Sequence, residues 1–167
     1  MGSGKSTIGK QLARRLGWDF VDSDAEIEKR TGVRIADIFA IEGESGFRKW
    51  ESTTIAELCS VAPRVIATGG GSVLDAQSRQ LMQENGWVVY LHVLPQHLNE
   101  RTRFDRSRPL LQVPDRLAQL TRLYAERDPL YRQIAHHIVN SSTQTSNRIT
   151  QHIGNEYQKL CKASRSN

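Results

Sequence analysis

Apolar positions along this chain follow two rhythms. Between residues 7 and 16 they recur at helical spacing, with Ile8, Leu12 and Leu16 on one face. Similar patterns predict helices over 24–30, 35–39, 44–58, 76–84, 95–103, 116–127 and 146–160. The second rhythm is the short β-branched run. "FVDSD" (20–24) reads as a strand end, and "RVIATGGG" (64–71) as a strand stopped by three glycines. "WVVYLHV" (87–93) is the clearest strand, closed by Leu94-Pro95, and "HHIVNSS" (136–142) is a weaker last one. Strands alternating with helices predict an α/β fold: a parallel sheet covered by helices on both faces, in three α/β/α layers. With no visible repeat or linker, residues 1–167 read as one domain, with 161–167 as a frayed tail.

Composition narrows the class. No apolar run reaches the ~18–20 residues that cross a bilayer, and no apolar leader is visible, so a cytoplasmic protein is expected. Cys59 and Cys161 lack metal-ligand spacing and read as reduced thiols. The net charge is +5. The basic residues are spread along the chain, dense only at "RTRFDRSRP" (101–109), which favours a small anionic ligand over nucleic acid.

Chemistry concentrates at a few short stretches. "MGSGKST" opens the chain, and Gly4-Lys5-Ser6 fills the end of a phosphate-loop pattern, with Gly2 as a further loop glycine. Glycines let backbone N–H groups turn toward phosphate oxygens, and the following helix adds its positive end. Gly2, Ser3, Gly4, Lys5, Ser6 and Thr7 are therefore the candidate nucleotide-binding set. Lys5 would reach the β- and γ-phosphates, and the Ser6 hydroxyl would bind Mg²⁺.

Asp22 and Asp24 sit two apart at a strand end and so point the same way. Asp22 could hold Mg²⁺ through water, and Asp24 could accept a hydroxyl's hydrogen bond or its proton. An Asx turn capping the next helix is the alternative, a part Asp24 could also play.

In "EGESGFRKWE" (42–51), Arg48 and Glu51 lie one turn apart, with Phe47 and Trp50 available to face the core. Alone, such a pair reads as solvated. Gly69, Gly70 and Gly71 end a strand, where a ligand approaching the backbone would repay their entropy. Arg101, Arg103, Arg106 and Arg108, before Pro-Leu-Leu, read as a lid over about 101–113 that brings cations to a polyphosphate. Arg127 precedes a proline that should end its helix. Among the histidines, His136 and His137 would face opposite sides of a strand, which argues against chelation between them. His92 reads as structural.

The order of these pieces is more specific than any one of them. A phosphate loop, then "DSD", "GExxFR", "GGG", "RPLL" and "ERxPLY" resembles the shikimate kinases from Met1 to about residue 160. The resemblance implies a nucleoside monophosphate kinase-like fold with five parallel strands in the order 2-3-1-4-5. It implies γ-phosphoryl transfer from ATP, with Mg²⁺, to the 3-hydroxyl of shikimate on the route to the aromatic amino acids.

By that resemblance Lys5, Asp24 and Arg108 are catalytic, Ser6 and Asp22 hold the metal, and Arg101 and Gln144 lie near the adenine. Asp24, Arg48, Gly69, Gly70, Gly71 and Arg127 bind shikimate, the two arginines gripping its carboxylate. The chain is read as a monomer. Another small-molecule kinase of the same fold, such as a gluconate kinase, and an inactive nucleotide-binding homologue are the alternatives. Set against the family, Met1 falls inside the phosphate loop. The expectation is therefore that the central strand lies upstream of this start and that Met1 is a wrong initiation point.

Overall fold

The computed structural model describes residues 2–104 and 109–164. In chain order the elements are α1 (Lys5–Leu16), β1 (Asp19–Asp22), α2 (Ser23–Thr31), α3 (Ile35–Cys59), β2 (Arg64–Ala67) and α4 (Ala76–Asn85). There follow β3 (Val89–His92), α5 (Pro95–Thr102), a 3-10 turn (Pro109–Leu111), α6 (Arg116–Ile134), β4 (His137–Asn140) and α7 (Ser146–Ala163). All strand pairing is parallel. β1 pairs with β2 from Asp19↔Arg64 to Asp22↔Ala67. β3 pairs with β4 from Val89↔His137 to His92↔Asn140. Among the described residues no strand bridges the two ladders.

Alternation along β3 shows why helices cover both faces. Val89 and Leu91 pack against the cluster of Ile8, Val139, Ile149 and Ile153, which joins α1 to α7. Tyr90, between them, turns the other way and stacks on Tyr131 of α6 at 4.8 Å. On that second side Ile55, Val73, Met82 and Ile134 tie α3, α4 and α6 together. A third cluster, Ile27, Ile38 and Phe47, holds α2 against α3. The expected three-layer α/β/α arrangement is present.

Four local expectations change. The helices expected at 35–39 and 44–58 are joined as α3, with a kink at Gly43, whose φ of 69° suits a residue without a Cβ. Trp50 does not face the core: it is 40% exposed, while Phe47 is 5% exposed. α6 does not stop at Arg127 but runs through Pro129 to Ile134. The turn beyond the proline is held by burial of Ile134, with Leu130 and Tyr131 packed beside it. At the C-terminus α7 continues to Ala163, into the stretch expected to fray.

Candidate active site

The phosphate loop and α1 form one unit. Gly2 and Gly4 have φ of 66° and 87°, left-handed values that glycine adopts without strain. Gly4 is the N-cap of α1 and makes no side-chain capping bond, so no side chain competes for the first backbone donors of the helix. No acidic residue lies in that first turn, which preserves the helix's positive end for an anion. Lys5 Nζ lies 3.4 Å from Ser3 Oγ. Arg101 clamps the loop from outside, donating to the carbonyls of Ser141 (2.7 Å), Ser142 (3.0 Å) and Gly2 (3.4 Å). Gln144, in the same β4–α7 connection, donates to the Asn140 carbonyl at 3.3 Å.

The end of β1 meets the start of α1. Ser6 Oγ donates to Asp22 Oδ2 at 2.6 Å, so two oxygen donors from distant parts of the sequence become neighbours. Asp22, rather than Asp24, caps α2, accepting from the Asp24 N–H at 3.1 Å. Asp24 is consequently in the first helical turn and not on the strand, because β1 stops at Asp22.

Beside Asp24 the glycine turn after β2 is packed by charged side chains. A Cβ on Gly69 would lie 2.7 Å from Asp24 Oδ1 and closer still to Glu51 Oε1. A Cβ on Gly71 would strike the Arg48 guanidinium. Gly69 N–H is held by buried Ser23 Oγ at 2.9 Å. Glu51, 2% exposed, accepts from Arg48 Nη1 (2.6 Å) and from Ser72 Oγ (3.0 Å). Glu44 takes the other end of Arg48 at 2.7 Å. Burial works against the Arg48 charge, but Glu51 and Glu44 outweigh it and raise its pKa.

Across the turn, Arg127 is 6% exposed and donates to the Gly70 carbonyl at 3.0 Å. Tyr131 donates to the same carbonyl at 2.6 Å. Burial pushes the Tyr131 phenol up to about 12, so it stays a neutral donor. The Nε of Arg127 is buried with no hydrogen-bond partner among the described residues, a donor suited to an anion. A cavity of about 120 Å³ is lined by Ser3 and Lys5 of the phosphate loop and by Gly69, Gly70 and Arg127 at the glycine turn. The rest of its lining is mostly apolar, from β3, α4 and α6. The phosphate loop and the glycine turn therefore open onto one space.

The shikimate kinase family model matches residues 1–158. The chain belongs to the shikimate kinase family. A shikimate kinase from Dechloromonas aromatica is 51% identical over 160 residues, which is 96% of this chain and 87% of that protein. One from Thiobacillus denitrificans is 52% identical over 145 residues, 87% of this chain and 79% of the relative. Among solved structures, a shikimate kinase from Acinetobacter baumannii in complex with shikimate superposes with a TM-score of 0.93 at 41% identity. That match covers 96% of this chain and 89% of the other. The Aquifex aeolicus enzyme gives 0.83 at 32% identity, covering 96% and 94%. The fold is thus that of the P-loop kinases, as expected.

The expected residues that the structure describes fall into three groups. Lys5, Ser6, Asp22 and Asp24 gather where α1 meets β1 and α2. Arg48, Gly69, Gly70, Gly71 and Arg127 gather at the glycine turn. Arg101 and Gln144 lie at the β4–α7 connection, and Arg108 is outside the described residues.

Sequence reasoning missed the burial of Glu51 and the part of Tyr131. Signals for both existed. Glu51 occupies the buried stripe Phe47, Glu51, Thr54, Ile55, Leu58, where a lone carboxylate demands a partner. Tyr131 follows Arg127 by four residues, on the same helical face.

Proposed function

We propose that this chain transfers the γ-phosphoryl of ATP to the 3-hydroxyl of shikimate, giving shikimate 3-phosphate and ADP, a step on the route to the aromatic amino acids. The observation that carries this reading is the charge distribution around one cavity: Lys5 of the phosphate loop and buried Arg127 both line it, and Arg48 packs against its glycine turn. The phosphate loop suits a donor polyphosphate, and the arginine-flanked turn suits a small acceptor with a carboxylate at one end and hydroxyls at the other.

The residues divide the work. Amides of the loop and the N-terminal end of α1 cradle the phosphates, and Lys5 neutralises the β- and γ-oxygens. Arg127 and Arg48 bind the acceptor carboxylate with planar, bidentate donors, which fixes the far end of the ring. Asp24 orients the attacking hydroxyl and accepts its hydrogen bond. Arg108 adds charge to the transferring group from the lid segment. Arg101 and Gln144 stand beside the nucleotide base.

Ser6 Oγ and Asp22 Oδ2, at 2.6 Å, form an oxygen pair suited to Mg²⁺, which keeps most of its ligands as water and phosphate. When bound there the ion supplies further neutralisation of the phosphate charge. Catalysis in this scheme is alignment and electrostatics, since phosphoryl transfer asks for little covalent help. We also read the working unit as a cytoplasmic monomer. Among the described residues no helix is long and apolar enough to cross a membrane.

The test is ADP release from ATP with shikimate, gluconate and no acceptor. Shikimate-dependent release at rates well above the other two is expected. Release that follows gluconate, or that needs no acceptor, would overturn the reading.

A further inference from the structure

At the rim opposite the proposed active site, two imidazoles from different elements face each other. His137 opens β4, and His152 lies in the second turn of α7. Their Nε2 atoms are 3.1 Å apart. Whichever ring carries the proton at Nε2 donates it to the other's lone pair. Both rings sit on well-fixed backbone. The His137 N–H donates to the Val88 carbonyl at 3.1 Å, and β4 continues into the ladder with β3. His152 is flanked on α7 by Ile149 and Ile153, 2% and 1% exposed. The Trp87 ring stacks on His137 with centroids 5.5 Å apart, which limits rotation of the imidazole.

We propose that His137 and His152 form a chelating site for a borderline divalent transition metal ion such as Zn²⁺. Nitrogen ligands at ~2.0–2.1 Å from a tetrahedral ion are about 3.3–3.4 Å apart, so the observed separation needs to open by only a few tenths of an ångström. Imidazole pairs suit Zn²⁺, Ni²⁺ and Cu²⁺ rather than Mg²⁺. The hydrogen bond between the rings is exchanged for two metal bonds, and the displaced proton settles on Nδ1.

Partial burial, and then the neighbouring His152, lower the proton affinity of His137, while Glu156 opposes them. Glu156 follows His152 by one turn and is paired with Lys159 at 2.7 Å. Its carboxylate adds negative charge beside the site. Among the described residues no cluster of three or more metal-ligating side chains occurs, so water completes the shell. The rim is remote from the phosphate loop: β4 runs from His137 to Asn140, about 10 Å of strand, before Ser141 reaches the Ser3 carbonyl. A bound ion would clamp β4 to α7, the helix that packs on α1.

The experiment is calorimetric titration of the metal-free chain with Zn²⁺ alone, beside His137→Asn, His152→Asn and, as control, His97→Asn. Helical circular dichroism is read on each. One equivalent of Zn²⁺ should bind the parent and the control and raise the thermal midpoint. Loss of an outer-shell partner costs roughly 10–100-fold in affinity, and loss of a ligand should cost at least that at either His137 or His152. A ¹⁵N spectrum should show both Nε2 resonances shifting on addition of Zn²⁺. No binding by the parent at millimolar Zn²⁺ would overturn the proposal. So would unchanged affinity in a folded His152→Asn variant, or shifts confined to other histidines.

Discussion

Removing the Glu51 carboxylate probes whether the acceptor side is built as one network. Glu51 is 2% exposed and joins Arg48 (2.6 Å) to Ser72 (3.0 Å). Deleting one partner of a buried ion pair costs about 3–5 kcal/mol, because the remaining charge is stranded. Here the stranding is partial. The Arg48 side chain is 20% exposed and keeps Glu44 at 2.7 Å, and Ser72 keeps the Gly69 carbonyl at 3.0 Å. Glu51→Ala should therefore fall below that range, at about 2–3 kcal/mol. For a chain of this size that is a drop of ~4–12 °C in Tm. Glu51→Gln keeps the shape and loses the charge, and should cost about 1 kcal/mol, the difference between charged and neutral hydrogen bonds.

Function should fall in a defined way. Without Glu51 the guanidinium pivots to Glu44, away from the Gly71 backbone. KM for shikimate should rise about tenfold, corresponding to ~1.4 kcal/mol, with KM for ATP little changed. Differential scanning calorimetry and steady-state kinetics with each substrate varied are the assays. The Arg48→Ala/Glu51→Ala double variant should be less impaired than the sum of the two single changes. A Glu51→Ala protein as stable as the parent, or one whose two KM values rise together, would refute this account.

Three further outcomes are expected. Asp24→Asn should leave ATP binding intact in a nucleotide titration while lowering turnover by ~10²-fold or more, and near-normal turnover would remove Asp24 from its orienting role. Gly69→Ala should abolish shikimate-dependent turnover with little loss of nucleotide affinity, because its Cβ would press on the Asp24 and Glu51 carboxylates together; a fully active variant would show that the turn gives way. Tyr131, raised to about 12 by burial, holds its proton more tightly folded than unfolded, where a tyrosine titrates near ~10. Its contribution is whole below pH ~10 and lost as the pH rises toward 12, so denaturant midpoints should decline across that window and Tyr131→Phe should flatten the decline.

Much of this protein was legible locally. The phosphate loop is contiguous, and Gly2 and Gly4 adopt the left-handed backbone that such a loop requires. Helical and strand periodicities are also short-range, so the α/β alternation could be read along the chain. Pro129 misled for the same local reason. A proline removes one backbone donor, but packing of Ile134, Leu130 and Tyr131 carries the helix onward.

What the sequence by itself determined was therefore the inventory: which turns, which helix ends, and which charged residues in which order. Tertiary structure decided the partnerships. An Arg48–Glu51 pair one turn apart reads as solvated until α3 is docked on the glycine turn, which removes Glu51 from water. Along the strand His137 has no companion, since its neighbour His136 faces the other side, yet α7 brings His152 to 3.1 Å. The physical reason is common to both. Backbone periodicity acts over three or four residues, whereas burial and charge pairing depend on which surfaces meet, and that is settled only when the helices pack on the strands.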